Sequence, residues 1–406
     1  MNQKETDKIR YFERFALDQL KLSILPFWRK YSIDNEQGGF YGQINNDMTI
    51  IKEAEKGQVL NARILWTFSA VYRKFKIKED LTLAKRAYEY IVTYFYDKKY
   101  GGYFWSLNPD GTPRDTKKQI YAQAFVIYGL TEYYKITSDQ DVLQKAIELF
   151  HLIENNSFDT EKNGYIEARN REWKEMKDIR LSARDMNVAK SMNTHLHILE
   201  AYANLYLVWR DPFLKHQLEN LIRIFTGHII DPVDKHQILF FDSDWNPQST
   251  LISYGHDIET SWLLHEAALI SENQELGNSI SQLSIKICDA VKKGLSETGA
   301  LYYENDRAGK HYEHEIEWWA QAEGVVGYMN AYMLTKDPDY LNIAFRIAQF
   351  IETYVVDKQN GEWFFRVTEK GKPILSHEKA GFWKCPYHNT RMCLEILHRM
   401  EMPEKK

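Results

Sequence analysis

The sequence predicts an all-α fold: a closed twelve-helix α/α toroid with short β-hairpins between helices at one end. Three observations carry that prediction. Glycine–aromatic stretches recur at a near-constant spacing, the segments between them have helical periodicity, and the unusual polar residues fall at one phase of the period.

The punctuation is GGFYGQ at 38–43, GGYFWS at 101–106, NGYIEA at 163–168, GALYYEN at 299–305 and NGEWFFRV at 360–367. Gly39 to Gly102 is 63 positions, Gly102 to Gly164 is 62, and Gly299 to Gly361 is 62. Gly164 to Gly299 is 135, about two periods, so a sixth unit lacks its glycine; HQILFFDSD at 236–244 stands near the expected place. Between these marks, 59–75, 121–136, 193–209 and 322–334 carry apolar residues at three-and-four spacing, several on more than one face, as buried inner helices do. The stretches 81–97 and 146–158 are more amphipathic and predict outer helices. Helix pairs with no polar linker between them either close into a ring or stack as an open solenoid. An open solenoid needs polar capping repeats, whereas the last unit is among the richest in unusual residues. One catalytic domain over residues 1–406 is the expectation.

With net charge −5 and no run of five Lys or Arg, the chain predicts no nucleic-acid or anionic-membrane partner. No stretch approaches ~18 consecutive apolar residues, and MNQKETDKIRYFERF lacks the apolar run of a secretory signal. Three cysteines (Cys288, Cys385 and Cys393) make no disulfide framework and fit a reducing compartment. The expectation is a cytoplasmic protein, monomeric or weakly homodimeric. Aromatic residues make up 14% of the chain, enough to line a concave site as well as fill a core.

In a closed toroid the segments after each punctuation converge on one mouth. Arg63 follows Gly39 by 24 positions, Tyr121 follows Gly102 by 19, and His197 follows Gly164 by 33. Trp318 and Trp319 follow Gly299 by 19 and 20, and Trp383 and His388 follow Gly361 by 22 and 27. His256 and Glu259 open the helix of SYGHDIETSWLL, three apart and so on one face. Singly, each has an ordinary reading: Arg63 as a structural ion pair, His256 and Glu259 as a solvated helix start, EWWAQAE at 317–323 as core. Six such sites in phase favour an active-site mouth. His195 and His197 are two apart and cannot face one pocket, so one of them is structural. Pro386 starts a helix with His388 in its first turn, where the backbone dipole favours a neutral ring. Metal motifs are weak: His314-Glu315 would need a histidine where Trp318 stands, and Cys385, His388 and Cys393 lack a fourth ligand. No nucleotide-binding or serine-hydrolase motif is present.

At these residues the chain resembles the N-acylglucosamine 2-epimerase superfamily and, more closely, its cellobiose 2-epimerases. The matching stretches are GGFYG, KGQVLNARILWTFSA, SMNTHLHILEAYANL, SYGHDIETSWLL, EWWAQAE and FWKCPYHNTRMC, which run in order through nearly the whole chain. The resemblance implies an (α/α)6 barrel and a sugar 2-epimerase needing neither cofactor nor metal. It implies His256 and His388 as acid–base residues, Glu259 as the partner of His256, and Arg63 and His197 as the remaining catalytic pair. For the sugar it implies Trp319 and Trp383, with Trp318, Glu323, Tyr121, Asn193 and Asn389 beside them.

The chemistry is reasonable for these side chains. The sugar ring opens, a neutral histidine takes the C2 proton, and Arg63 and His197 stabilise the cis-enediolate at O1. A second histidine on the opposite face returns the proton to give the other epimer. The paired tryptophans leave room for a second sugar unit and favour β-1,4-linked disaccharides such as cellobiose or lactose. A mannose 2-epimerase or aldose–ketose isomerase of the same superfamily is the alternative. A glycoside hydrolase, which needs two carboxylates flanking the bond, fits less well.

Overall fold

The structure is a computed structural model that describes residues 3–309 and 312–401. Each punctuation folds as a tight turn closed by one antiparallel bridge: Ile33–Phe40, Tyr96–Tyr103, Phe158–Tyr165, Ile230–Gln237, Leu295–Leu301 and Val356–Trp363. Six units are therefore present, including the one without its glycine. In that unit Lys235 takes the place of Gly101 and Gly361, donating its N–H to the Asp231 carbonyl as they do to Asp97 and Asp357. Its φ is 65°, beside 71° and 77° for the two glycines. A lysine in this left-handed region costs about 1–2 kcal/mol that glycine avoids. The turn thus lies a few residues before Ile238, where the period alone would put it.

The helices follow in chain order. α1 (Gln3–Asp18) continues through a π-turn at Gln19–Ile24 into α2 (Leu25–Tyr31). Then come α3 (Gln58–Phe75) and α4 (Lys78–Tyr90), α5 (Ile120–Thr137) and α6 (Gln140–Asn156), α7 (Met192–Tyr206) and α8 (Pro212–Ile224). They are followed by α9 (Tyr254–Ile270) and α10 (Gln274–Val291), α11 (Trp318–Thr335) and α12 (Pro338–Phe350), and finally α13 (Tyr387–Glu401). Inner helices α3, α5 and α11 stop at a left-handed residue, namely Lys76, Ser138 and Lys336. Outer helices α6, α8 and α12 start on side-chain caps from Asp139, Asp211 and Asp337.

Taking α1 and α2 as one continuous helix gives twelve. The inner six pack α3–α5–α7–α9–α11–α13, and α13 returns to α3, so the ring is closed. This is an (α/α)6 barrel. Its sixth pair joins the two ends of the chain: α1 packs on α12 and α13, and Trp28 Nε1 donates to Glu362 at 3.1 Å.

Short strands link neighbouring units rather than forming hairpins only within them. Lys56–Gly57 pairs with Ser106–Leu107, Lys118–Gln119 with Ala168–Arg169, and Lys190–Ser191 with Phe240–Phe241. Leu251–Ser253 pairs with Glu304–Asp306, Ile316–Glu317 with Arg366–Val367, and an Ile44–Ala380 bridge joins the first unit to the last. In four units a buried lysine just before the inner helix also braces the turn aspartate. These pairs are Lys56–Asp34 (2.8 Å), Lys118–Asp97 (3.2 Å), Lys190–Asp159 (2.8 Å) and Lys379–Asp357 (2.5 Å). Ladders and braces fix the start of each inner helix, where the site lies.

Candidate active site

A cavity of about 500 Å³ opens where the six inner helices begin. Its wall holds Arg63, Tyr121, Asn193, His197, His256, Glu259, Trp318, Trp319, Trp383 and His388, so most of the sequence-derived set meets in one place. A volume of this size is ordinary for a small-molecule site. His195 does not face it. That ring spans the Ser191 carbonyl (2.6 Å) and the Tyr165 N–H (2.9 Å), tying α7 to its turn.

Arg63 is a buried cation with no carboxylate in ion-pair range among the described residues. Its Nη2 donates to the Tyr121 hydroxyl at 2.6 Å, and its guanidinium lies over the Phe125 ring at 4.1 Å. Burial opposes this charge, but Tyr121, Cys385 and Tyr387 beside it outweigh burial and hold Arg63 above its ordinary range. Its Nε has no partner. An unneutralised guanidinium at a cavity wall is built to receive negative charge.

Behind the wall runs a continuous chain of buried polar groups. His197 Nδ1 meets Glu200 at 3.0 Å, and Glu200 also accepts from Tyr387 and Arg391. Arg391 Nη2 donates to Glu259 at 2.6 Å and to Glu323 at 2.7 Å. Glu323 in turn lies 2.7 Å from His388 Nδ1 and accepts from Trp262 Nε1 at 3.0 Å. Burial would raise Glu200, but the Arg391 guanidinium and the His197 ring outweigh it and hold the carboxyl at about 2. Burial, with Glu323 alongside, pushes Glu259 well above the usual carboxylate range. Burial also lowers His388 and His197, and it takes His256 down to about 3. All three rings are neutral at ordinary pH.

Three of the sequence-derived assignments are corrected by this geometry. Glu259 does not partner His256; its carboxyl is drawn to Arg391 and stands 3.9 Å from His388. A guanidinium outbids a neutral imidazole as donor to a carboxyl oxygen. His256 instead shares a 2.8 Å hydrogen bond with the Ser253 hydroxyl. Glu323 is off the cavity wall, behind His388 rather than against a sugar. Asn389 is also off the wall, with its amide donating to Glu362 at 2.9 Å and 3.1 Å.

Sequence reasoning missed Glu200, Arg391 and Ser253. Glu200 follows His197 by three, Arg391 follows His388 by three, and Ser253 precedes His256 by three, the spacing that places side chains on one helix face. The cavity also takes in Leu181, Ser182 and Asp185 from a long loop, for which no periodic signal exists. Ligand atoms of Glu259, Glu323 and His388 lie within 4.8 Å of one another, as metal ligands would. The cation already between those two carboxylates is Arg391.

The model of the N-acylglucosamine 2-epimerase (GlcNAc 2-epimerase) family matches residues 39–391. The chain belongs to that family. Within it, the cellobiose 2-epimerase of Bacteroides fragilis is 48% identical over 379 residues, covering 93% of this chain and 97% of that one. The cellobiose 2-epimerase of Dictyoglomus turgidum is 38% identical over 386 residues, covering 94% and 97%. The solved cellobiose 2-epimerase from Bacillus thermoamylovorans superposes with a TM-score of 0.92 at 41% identity, covering 96% of this chain and all of that one. Family membership makes the protein a carbohydrate epimerase, an isomerase. No helix among the described residues is long and apolar enough to cross a membrane.

Proposed function

We propose that the protein interconverts the glucose and mannose configurations at C2 of the reducing-end residue of β-1,4-linked disaccharides, cellobiose among them. The observation that carries this reading is that His388 and His256 line one cavity beside an unneutralised Arg63. The cellobiose 2-epimerases 48% and 38% identical to this chain support the substrate class.

The roles follow from hydrogen-bond direction. His388 places Nδ1 against Glu323, so its proton sits there and Nε2 carries a lone pair. That makes His388 a base. The Ser253 hydroxyl can donate to His256 Nδ1 or accept from it, so His256 can present Nε2–H as an acid or take a proton as a base. With the aldehyde form bound, one ring removes the C2 proton, Arg63 holds the enediolate O1, and the other ring protonates the opposite face. Trp319, 4.6 Å from His256 and 5.6 Å from His388 between ring centres, is the platform for the reacting sugar. Trp383 and the neighbouring aromatic wall take the second sugar. No metal or cofactor is needed for these steps.

The test is cellobiose in D2O with metal-free protein, followed by NMR. Glucosyl-mannose with deuterium at C2 is the expected product. Glucose release, or a ketose as the main product, would replace this reading with hydrolysis or isomerisation.

A further inference from the structure

One buried acid outside the cavity has no place in the chemistry above. Glu362 is fully buried, and its φ is 59°. It stands just before the bridge residue Trp363, where the first three units put Gly39, Gly102 and Gly164 before Phe40, Tyr103 and Tyr165. Glycine enters this left-handed region without a steric penalty. In those three units a side chain at the glycine would collide with the ring of Tyr90, Trp173 or Trp245. The sixth unit puts a glutamate there, and so bears both a strained backbone and a buried charge. Strain of this kind persists only where the surroundings over-determine it.

The partners of Glu362 form a clamp between the N-terminal helices and the segment that opens α13. In four units the fourth residue of the inner helix accepts an N–H directly from its turn. These are Gln123 from Tyr103 (2.9 Å), His195 from Tyr165 (2.9 Å), Asp257 from Gln237 (2.8 Å) and Gln321 from Leu301 (2.8 Å). In the sixth unit Asn389 reaches the Glu362 carboxylate instead, donating at 2.9 Å and 3.1 Å. Lys384 forms an ion pair with the same carboxylate, and neither side chain is open to solvent. From the N-terminal helices Trp28 Nε1 donates to it at 3.1 Å, and the Glu362 N–H donates to the Ser23 carbonyl at 3.2 Å. Asn389 directly follows His388, and Lys384 directly follows Trp383. The Lys384 ammonium also lies 5.1 Å from the centre of the Trp318 ring. His388, Trp383 and Trp318 all line the cavity.

We propose that Glu362 is a positioning residue for catalysis, and that it makes the site depend on the docked N-terminal helices. It acts through Lys384 and Asn389 to fix the segment 382–389, which carries Trp383 and His388. Lys384 has no other ion-pair partner among the described residues. A buried ammonium that loses its carboxylate must move toward water or shed its proton. Either response displaces the residues on both sides of it, Trp383 and Cys385, and with them the entry to α13. A shift of about 1 Å at a reacting group costs up to about 10²-fold in rate. Trp28 contributes a bond to the clamp from α2 and is not on the cavity wall. The inference rests on the 2-epimerase reading for its assay but not for the geometry of the clamp.

The experiment measures steady-state epimerisation of cellobiose well below melting, together with hydrogen exchange of residues 382–389 by mass spectrometry. Glu362→Gln is expected to lower kcat about 10- to 10²-fold, and to speed exchange in 382–389 but not at the start of the other inner helices. Combining it with Lys384→Met removes both buried charges, which is expected to restore melting but not kcat. Recovery of kcat along with melting would give Glu362 a structural place only and overturn the inference. Trp28→Phe keeps the ring and removes its N–H. A fall in kcat of about threefold is expected, with no further fall when Glu362→Gln is already present. An unchanged kcat, or equal falls in both backgrounds, would overturn the dependence on the N-terminal helices. If the wild type epimerises cellobiose while Glu362→Gln leaves kcat and exchange unchanged, the clamp falls and the epimerase reading stands. If the wild type does not epimerise cellobiose, the epimerase reading falls and exchange decides the clamp: faster exchange in 382–389 upholds it, and unchanged exchange overturns it.

Discussion

His388 is buried and His256 half-buried, both are neutral and both stand on one cavity wall, yet they are held differently. His388 has the Glu323 carboxyl behind it, which burial raises and the Arg391 guanidinium at 2.7 Å pulls back toward the charged form. His256 has only the Ser253 hydroxyl at 2.8 Å. A carboxylate fixes where the ring proton sits, whereas a hydroxyl, being donor and acceptor, permits either tautomer. In the proposed mechanism one ring is thus preset as a base and the other can change role within a turnover. An epimerase that runs in both directions needs two rings, but they need not be equivalent.

The largest expected effect comes from removing either ring. His388→Asn or His256→Asn should lower epimerisation about 10²- to 10⁴-fold in both directions, since each direction needs both. In D2O each variant should still label C2 of only one epimer, and NMR of the two disaccharides reads this directly. Full epimerisation by either variant would point to a single base with a mobile enediolate.

Replacing the groups behind the rings sharpens the comparison. Glu323→Gln offers His388 an amide that can donate to Nδ1 and so select the wrong tautomer, with an expected fall in kcat of about 10²- to 10⁴-fold. Ser253→Ala removes one neutral hydrogen bond, about 1 kcal/mol, and should cost about fivefold. Equal losses in steady-state kinetics would erase the distinction between the two sites.

Trp383 is only half-buried, against Trp105 and Tyr121. Trp383→Ala should raise KM with little change in melting, whereas truncating a core tryptophan costs about 3–5 kcal/mol. A large loss of stability at unchanged KM would make Trp383 core.

A separate effect is on stability. His256, held at about 3 when folded, ionises near 6.5 once unfolded. Below about pH 6.5 the unfolded chain therefore takes up a proton that the folded one refuses, and stability falls by roughly 1.4 kcal/mol per pH unit per such ring. Melting from pH 7 to 5 should show this slope, and His256→Asn should lessen it by one ring's share.

Much of the ring was legible because its causes are local. Apolar spacing gave the inner helices, and the left-handed turns left glycines to count, except where Lys235 bears the strain itself. The pairing of strands between units was not legible, since Lys56–Gly57 carries no sign that it meets Ser106–Leu107. The site divides the same way. Residues at the right phase reached the cavity, but partnership across helices depends on competition that spacing does not reveal. His197 and Glu200, three apart, do pair; His256 and Glu259, also three apart, do not, because Arg391 from α13 takes the carboxyl.

The sixth helix pair has a consequence for how the protein is made. Its outer member, α1 with α2, is synthesised before the other helices described, and its inner member, α13, after them. On the ribosome α1 has only α12 of these two partners until α13 emerges, so its apolar face, with Phe12, Phe15 and Trp28, stays partly uncovered until then. His388 and Arg391 arrive with that same last helix. A nascent chain can therefore stack five pairs with the cavity still incomplete, and the act that closes the ring is also the act that brings His388 to its wall.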